Sequence, residues 1–156
     1  MGVIKGPTTF NTASGSSGPA TSNGTWTPSL FFGSPAAQVG MTFTAATGQW
    51  TKIGNRVFAQ SIITLSSKGT STGNAFLSLP FPNVNTQGEG GIFLYFTAMS
   101  GISNQIVGRY SSTIAAPTLY FALAFGNTLN TGITDLNDGN FTNTSSFIFN
   151  MDYNFS

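Results

Sequence analysis

Glu89, Asp135, Asp138 and Asp152 are the only side-chain carboxylates in this chain, and it contains neither histidine nor cysteine. Without cysteine there is no disulfide, zinc–thiolate site, iron–sulfur cluster or thiol nucleophile. Without histidine there is no Ser-His-Asp triad and no imidazole-ligated metal. The acid–base chemistry that remains is a glycosidase-type carboxylate pair, which requires two groups roughly 5–9 Å apart. Glu89 sits in the flexible run Gln87-Gly88-Glu89-Gly90-Gly91, and Asp152 falls mid-strand on a polar face. Four solvated acids and no catalysis is the expectation. Asp135-Leu136-Asn137-Asp138-Gly139 has a calcium-loop composition, but its spacing is too short and no glutamate closes it. An Asx-rich turn is expected there. Gly88, Gly90 and Gly91 precede neither a helix nor a lysine, so they do not form a phosphate-binding loop. No metal and no cofactor is expected.

Binding without chemistry leaves more candidates. Trp26, Trp50, Tyr95, Tyr110 and Tyr120 could stack on sugar rings, although packing in a core or interface is the default for such residues. Tyr110 follows Arg109 in a polar context, and these two join Asp135, Asn137 and Asp138 as receptor-binding candidates. A net charge of +1 leaves no electrostatic footprint for nucleic acid. Glycosylation-like sequons, as at Asn23, Asn140 and Asn143, are read as chance because no signal peptide is visible. The longest strongly apolar run, Ile92 to Phe96, is far short of the ~18 residues of a membrane-spanning helix. The expected product has no membrane insertion and stays in the compartment of synthesis until it is assembled.

The elements that must position these residues follow from composition. Only 6% of the 156 residues are charged, against roughly 25% in an ordinary soluble domain. Gly, Thr, Ser and Asn make up nearly half of the chain, and 15 residues are Phe. Such a composition suits short strands joined by turns and suits helices poorly. Aromatic residues at 13% exclude disorder as an explanation of the low charge.

Residues 1–24 read as an arm or linker, since Asn11 to Gly24 is nearly all small and polar. Ile4 and Phe10 are the candidates there for anchoring to a larger particle. From Thr25 the chain reads as about eight strands. Trp26–Phe32 is a first strand that Pro28 confines to an edge or bulge. Met41–Ala45 alternates as a half-buried strand. Gly54-Asn55 supplies the positive φ angles of a tight hairpin. Val57, Ala59, Ile63 and Leu65 share one face of the next strand, opposite Phe58, Gln60, Ile62 and Thr64. Strands are also expected at 75–79, ended by Pro80-Phe81-Pro82-Asn83, and at 92–99, 103–112 and 118–125. The closing strand alternates Phe147, Phe149, Met151, Tyr153 and Phe155 against polar neighbours. Segment Ile92–Met99 is apolar on both faces, which a single sandwich does not require. Phe93, Tyr95 and Met99 are therefore oligomer-interface candidates. The spacing predicts an all-β, antiparallel β-sandwich over residues 25–156, jelly-roll-like in topology.

One succession of blocks is more specific. Gly24-Thr25-Trp26-Thr27-Pro28 is followed by Val39-Gly40-Met41-Thr42-Phe43, then by Gly48-Gln49-Trp50-Thr51-Lys52-Ile53-Gly54-Asn55-Arg56-Val57. Ser67-Lys68-Gly69-Thr70-Ser71-Thr72-Gly73-Asn74 and Leu79-Pro80-Phe81 come next. This order resembles the C-terminal module of bacteriophage tail-fibre and tail-spike (receptor-binding) proteins, well over residues 24–82 and more loosely to the end. The resemblance implies a homotrimeric β-sandwich on a virion that grips a host surface glycan or protein, with Thr51 to Asn55 architectural. In that family the module closes a much longer fibre, whereas here about 24 residues precede it. A capsid decoration or head-fibre role, with the arm contacting other virion proteins, therefore stands as the alternative, and a polysaccharide-degrading spike stands behind both.

Overall fold

Alternation of buried and exposed side chains is carried furthest in two strands, and these set the architecture. In the structure, a computed structural model that describes residues 18–33, 39–83, 90–102, 106–110, 118–126 and 133–155, the described residues form ten strands. They are β1 (Thr21–Trp26), β2 (Leu30–Phe32), β3 (Met41–Ile53), β4 (Arg56–Lys68), β5 (Ala75–Asn83), β6 (Gly90–Met99), β7 (Ile106–Tyr110), β8 (Thr118–Gly126), β9 (Ile133–Asp135) and β10 (Phe141–Asn154). Every pairing is antiparallel, and the hydrogen-bonded order is β1-β3-β4-β10-β6-β7-β8-β5-β2, with β9 on β8. A three-residue 3-10 turn at Asp138–Asn140 precedes β10. The protein is all-β, as its composition predicts.

The strands differ from expectation in several places. The segment expected as one strand over 26–32 splits in two, because Pro28 supplies no ladder donor. β1 and β2 are the two ends of the strand order, so both are edges. Residues Thr21 to Gly24, read from sequence as arm, belong to β1 and pair with Trp50 to Ile53. Polar Thr, Ser and Asn side chains extend a strand readily when a longer neighbour supplies its ladder. β3 likewise runs on to Ile53, well past Ala45, and β9 forms in a stretch that reads as turn.

The connection through residues 27–29 dictates the overall shape. Three linking residues reach no more than about 14 Å when extended. Yet they join strands at opposite ends of the order. The sheet must therefore fold back on itself until its ends lie near the ~10 Å spacing of stacked sheets. The core fills that gap. Leu30 and Phe32 of β2 and Ala75, Leu77 and Leu79 of β5 pack with Val57, Ile63 and Leu65 of β4 and with Phe147, Phe149, Met151 and Tyr153 of β10. Burying each of the larger of these side chains stabilises by about 1.5–3 kcal/mol. Phe31 and Phe76 face the other way and stack at 5.4 Å between ring centroids.

Register is fixed by two reciprocal glycine–tryptophan pairs. Gly24 stands opposite Trp50, and Trp26 opposite Gly48. A Cβ added at Gly24 would lie 2.6 Å from the Trp50 indole, and one added at Gly48 would lie 2.7 Å from the Trp26 indole. Each indole thus lies flat where the neighbouring strand lacks a side chain, and both pack on the core. Phe149 uses Gly91 in the same way. The β3–β4 hairpin turns on Gly54 alone, at φ 61. Asn55 does not share the positive φ, so the turn needs one left-handed residue, at its first central position, as in a II′ hairpin.

The closing end of β10 is held by Tyr153, which is fully buried. Its hydroxyl donates to the Phe81 carbonyl and accepts from the Phe81 N–H, each at 3.1 Å. The Phe81 ring meets Trp50 edge-on at 4.7 Å, and the Lys52 ammonium lies 4.3 Å from the Phe155 ring centroid.

Two outcomes are expected from this packing. Gly48→Ala should cost about 1–3 kcal/mol by overpacking, and less in a Trp26→Ala background, as a urea-unfolding double-mutant cycle would read. Tyr153→Phe keeps the ring but strands both Phe81 backbone groups, at a cost of about 1–3 kcal/mol by the same measurement.

Candidate functional site

The parity that sends one side of β4 and β10 into the core sends the other to solvent. Phe58, Gln60, Ile62 and Thr64 alternate with the buried residues of β4, and Ser146, Ile148, Asn150 and Asp152 do so in β10. Register aligns them in rows across β3, β4 and β10. Thr51, Phe58 and Asp152 form one row, Gln49, Gln60 and Asn150 the next, and Thr47, Ile62 and Ile148 a third. Tyr95 of β6 extends the third row. This face is polar yet carries large apolar side chains. Phe58 is 43% exposed, Ile62 39%, Leu94 57% and Tyr95 55%.

Cross-strand hydrogen bonds order its polar groups. Gln60 Nε2 donates to Asn150 Oδ1 at 2.9 Å, and the Thr64 and Ser146 hydroxyls are bonded at 2.8 Å. Arg56 grips Asp152 with both ends of its guanidinium, Nε lying 2.6 Å from Oδ1. Both partners are about two-fifths exposed, so the pair contributes little to stability and serves mainly to fix geometry. The same guanidinium lies over the Phe58 ring, 6.0 Å from its centroid. A groove of about 650 Å³ runs over Gln49, Thr51, Phe58, Gln60, Asn150 and Asp152, with side-chain-free Gly90 beside it. A second hollow of about 580 Å³ shares Gln49 and Gln60 and continues past Thr25, Thr27, Thr47 and Ile62. The two form one trough across the strands with the amide row at its middle.

The residues singled out from sequence lie elsewhere, and most have internal duties. Asn137 caps the 3-10 turn, its Oδ1 accepting from Gly139 N while its own N–H donates to Asn140 Oδ1. Asp138 Oδ1 accepts from Gly73 N at 2.9 Å, and its carbonyl accepts from Lys68 Nζ at 3.0 Å. Asp135 Oδ2 accepts from Asn74 Nδ2 at 3.1 Å. This cluster is a junction tying the 68–74 loop to the start of β10, and Leu136, fully buried, plugs the core beneath it. Among the described residues no three His, Cys, Asp or Glu side chains converge as a metal site. Arg109 and Tyr110 lie within strand β7, paired with Ala122 and Phe121 of β8, rather than in a loop.

Of the interface candidates, Tyr95 is exposed on the outer face. Phe93 is placed in β6 opposite Phe149. Met99, partly buried, packs against the core. Ala98 adopts φ 54, the left-handed region, beside a shift in the β6–β10 register, and this breaks the alternation just before Met99. Its carbonyl is caught by the hydroxyls of Thr142 and Ser145, at 2.9 and 2.7 Å. Ile4 and Phe10 lie outside the described residues.

Gln49, Gln60 and Asn150 escape a reading of the sequence because polar residues on alternating positions are what any solvent face shows. The available signal is Phe58 and Ile62, two large apolar residues on the polar face of β4. Their assembly with Asn150, ninety residues downstream of Gln60, requires the register.

No protein-family model and no curated protein matches the sequence. Among solved structures, the fold is similar to that in the crystal structure of Dettilon tailspike protein (gp208), with a TM-score of 0.67 and 19% sequence identity. The alignment covers 87% of this chain and 24% of that one, so this chain spans about a quarter of the tailspike's length. At that identity the likeness is one of fold: nearly the whole of this chain has the architecture of a module found in a phage tailspike.

Proposed function

We propose that the protein is a virion surface component of a bacteriophage, associated with the tail, that attaches the particle to a receptor on the bacterial host without catalysing a reaction. The observation that carries this reading is the fold shared with a tailspike over 87% of the chain. The succession of motifs from Gly24 to Phe81 points to the same class of module independently. We further read the module as a jelly-roll-like sandwich assembled as a homotrimer. The uncovered Leu94 and Tyr95 on the outer face of β6 supply apolar surface for such an assembly.

The absence of catalysis is supported by how the described carboxylates are used. Asp152 is held by Arg56, Asp135 by Asn74, and Asp138 by Gly73. Asp152 lies near the end of β10 and Asp135 and Asp138 precede its start, so Asp152 stands beyond the ~5–9 Å of a hydrolytic pair from both. Asp135 and Asp138 are the two near each other, and each is already engaged.

Three measurements test the reading. Purified protein should bind host cells and ignore emptied capsids, and incubation with host polysaccharide should release no reducing ends. Binding to capsids alone would instead establish a decoration protein, and hydrolysis would establish a degrading spike. Light scattering should give three 16.3 kDa protomers, about 49 kDa. A monomer would remove the trimer from the proposal.

A further inference from the structure

We infer that the trough on the outer face of β3, β4 and β10 binds an uncharged glycan chain, with the Gln49–Gln60–Asn150 row reading its hydroxyls and Phe58 supporting a sugar ring. This rests on the attachment reading for its biological setting, but the site itself is argued from its chemistry.

The trough's shape selects an extended ligand. Its two hollows, about 650 and 580 Å³, each fall in the range of ligand clefts and meet at Gln49 and Gln60. A ligand following it crosses the strands and passes over the amide row. A peptide that recognises a sheet pairs with a free edge through its backbone. Around the amide row the floor is the interior of the sheet, where ladder bonds between β3, β4 and β10 occupy the backbone, and the edge strand β1 is reached only at the Thr25 end of the second hollow. Recognition therefore falls to side chains.

Those side chains match a sugar. A carboxamide presents two N–H donors and an oxygen with two lone pairs, so it can both give to and accept from neighbouring hydroxyls. Three stand side by side in register, and the Gln60–Asn150 bond ties two of them together while using one donor of the first. A pyranose also has a C–H face, which needs an apolar surface. Phe58 is 43% exposed beside the amide row, and the Arg56 guanidinium over its ring restrains it.

Charge decides the class of glycan. The charged side chain in the groove's lining is Asp152, and Arg56 neutralises it through a two-pronged contact. An anionic sugar or phosphate would meet a carboxylate there, with the neighbouring cation already engaged. An uncharged, hydroxyl-rich chain meets no such cost.

The test is a microarray of bacterial surface polysaccharides, with uncharged and anionic repeats, probed with the full chain and with Gln60→Ala and Asn150→Ala. Both substitutions are at the surface, and circular dichroism checks that the variants remain folded. Binding to uncharged polysaccharides, weakened at least tenfold in both variants, is expected. Binding confined to anionic polysaccharides, no binding at all, or uncharged binding unchanged in the variants would overturn the inference. Cell adhesion measured in parallel separates the two levels. Variants that adhere to host cells like the parent would sink the groove and leave attachment standing. Groove-dependent glycan binding by a protein that adheres to no host cell would sink attachment and leave the groove.

Discussion

Strand β10 runs antiparallel between β4 and β6, and the parity of its fourteen residues divides the molecule into inside and outside. Phe147, Phe149, Met151 and Tyr153 enter the core, while Ile148, Asn150 and Asp152 form part of the outer trough. A slip of one residue would exchange the two sets, placing an aspartate in the core and four large apolar side chains in water. The trough and the core are thus one decision, made once by register. The devices that fix register, Gly24 against Trp50, Trp26 against Gly48 and Phe149 over Gly91, also position the amide row.

The chain holds its loops with little charge. Where many proteins use ion pairs, this one uses carboxamides, hydroxyls and backbone groups. The junction of Asp135 to Asn140 with the 68–74 loop is made of neutral or charge-assisted hydrogen bonds, to backbone at Asp138 and Gly73 and between the Asn74 and Asp135 side chains. Thr142 and Ser145 stabilise the left-handed Ala98 by the same means. Such contacts carry little long-range field, so they are largely indifferent to salt. That indifference suits a protein whose work is done outside a cell, which agrees with the attachment we propose.

The folded-back sheet pairs several strands that lie far apart in sequence. Three linking residues carry the chain from one end of the strand order to the other, and β10, last in sequence, is inserted at the centre. Long-range pairing of this kind folds slowly, because loop closure precedes the contacts that reward it. Early pairing of β3 with β4 through the Gly54 hairpin is one local event available to begin it, beside the sequential pairing of β6 to β9.

Period-two alternation, turn residues and the scarcity of charge were enough to establish an all-β chain, the hairpin at Gly54-Asn55 and the buried faces of β4 and β10. These are local properties, set by neighbours along the chain. The split at Pro28, the extension of β1 back to Thr21 and the reversal before Met99 were not legible, because each depends on a partner strand or on one residue's φ. The same holds for function. Asp135, Asn137 and Asp138 stand out in sequence because polar turn residues stand out, and the fold spends them on internal hydrogen bonds. Gln49, Gln60 and Asn150 are unremarked in sequence and become a row only when three strands distant along the chain lie in register. Sequence determined which residues could be buried, because hydrophobic periodicity is written locally; tertiary structure alone decided which surface residues stand together, because that depends on strand order and register between distant segments.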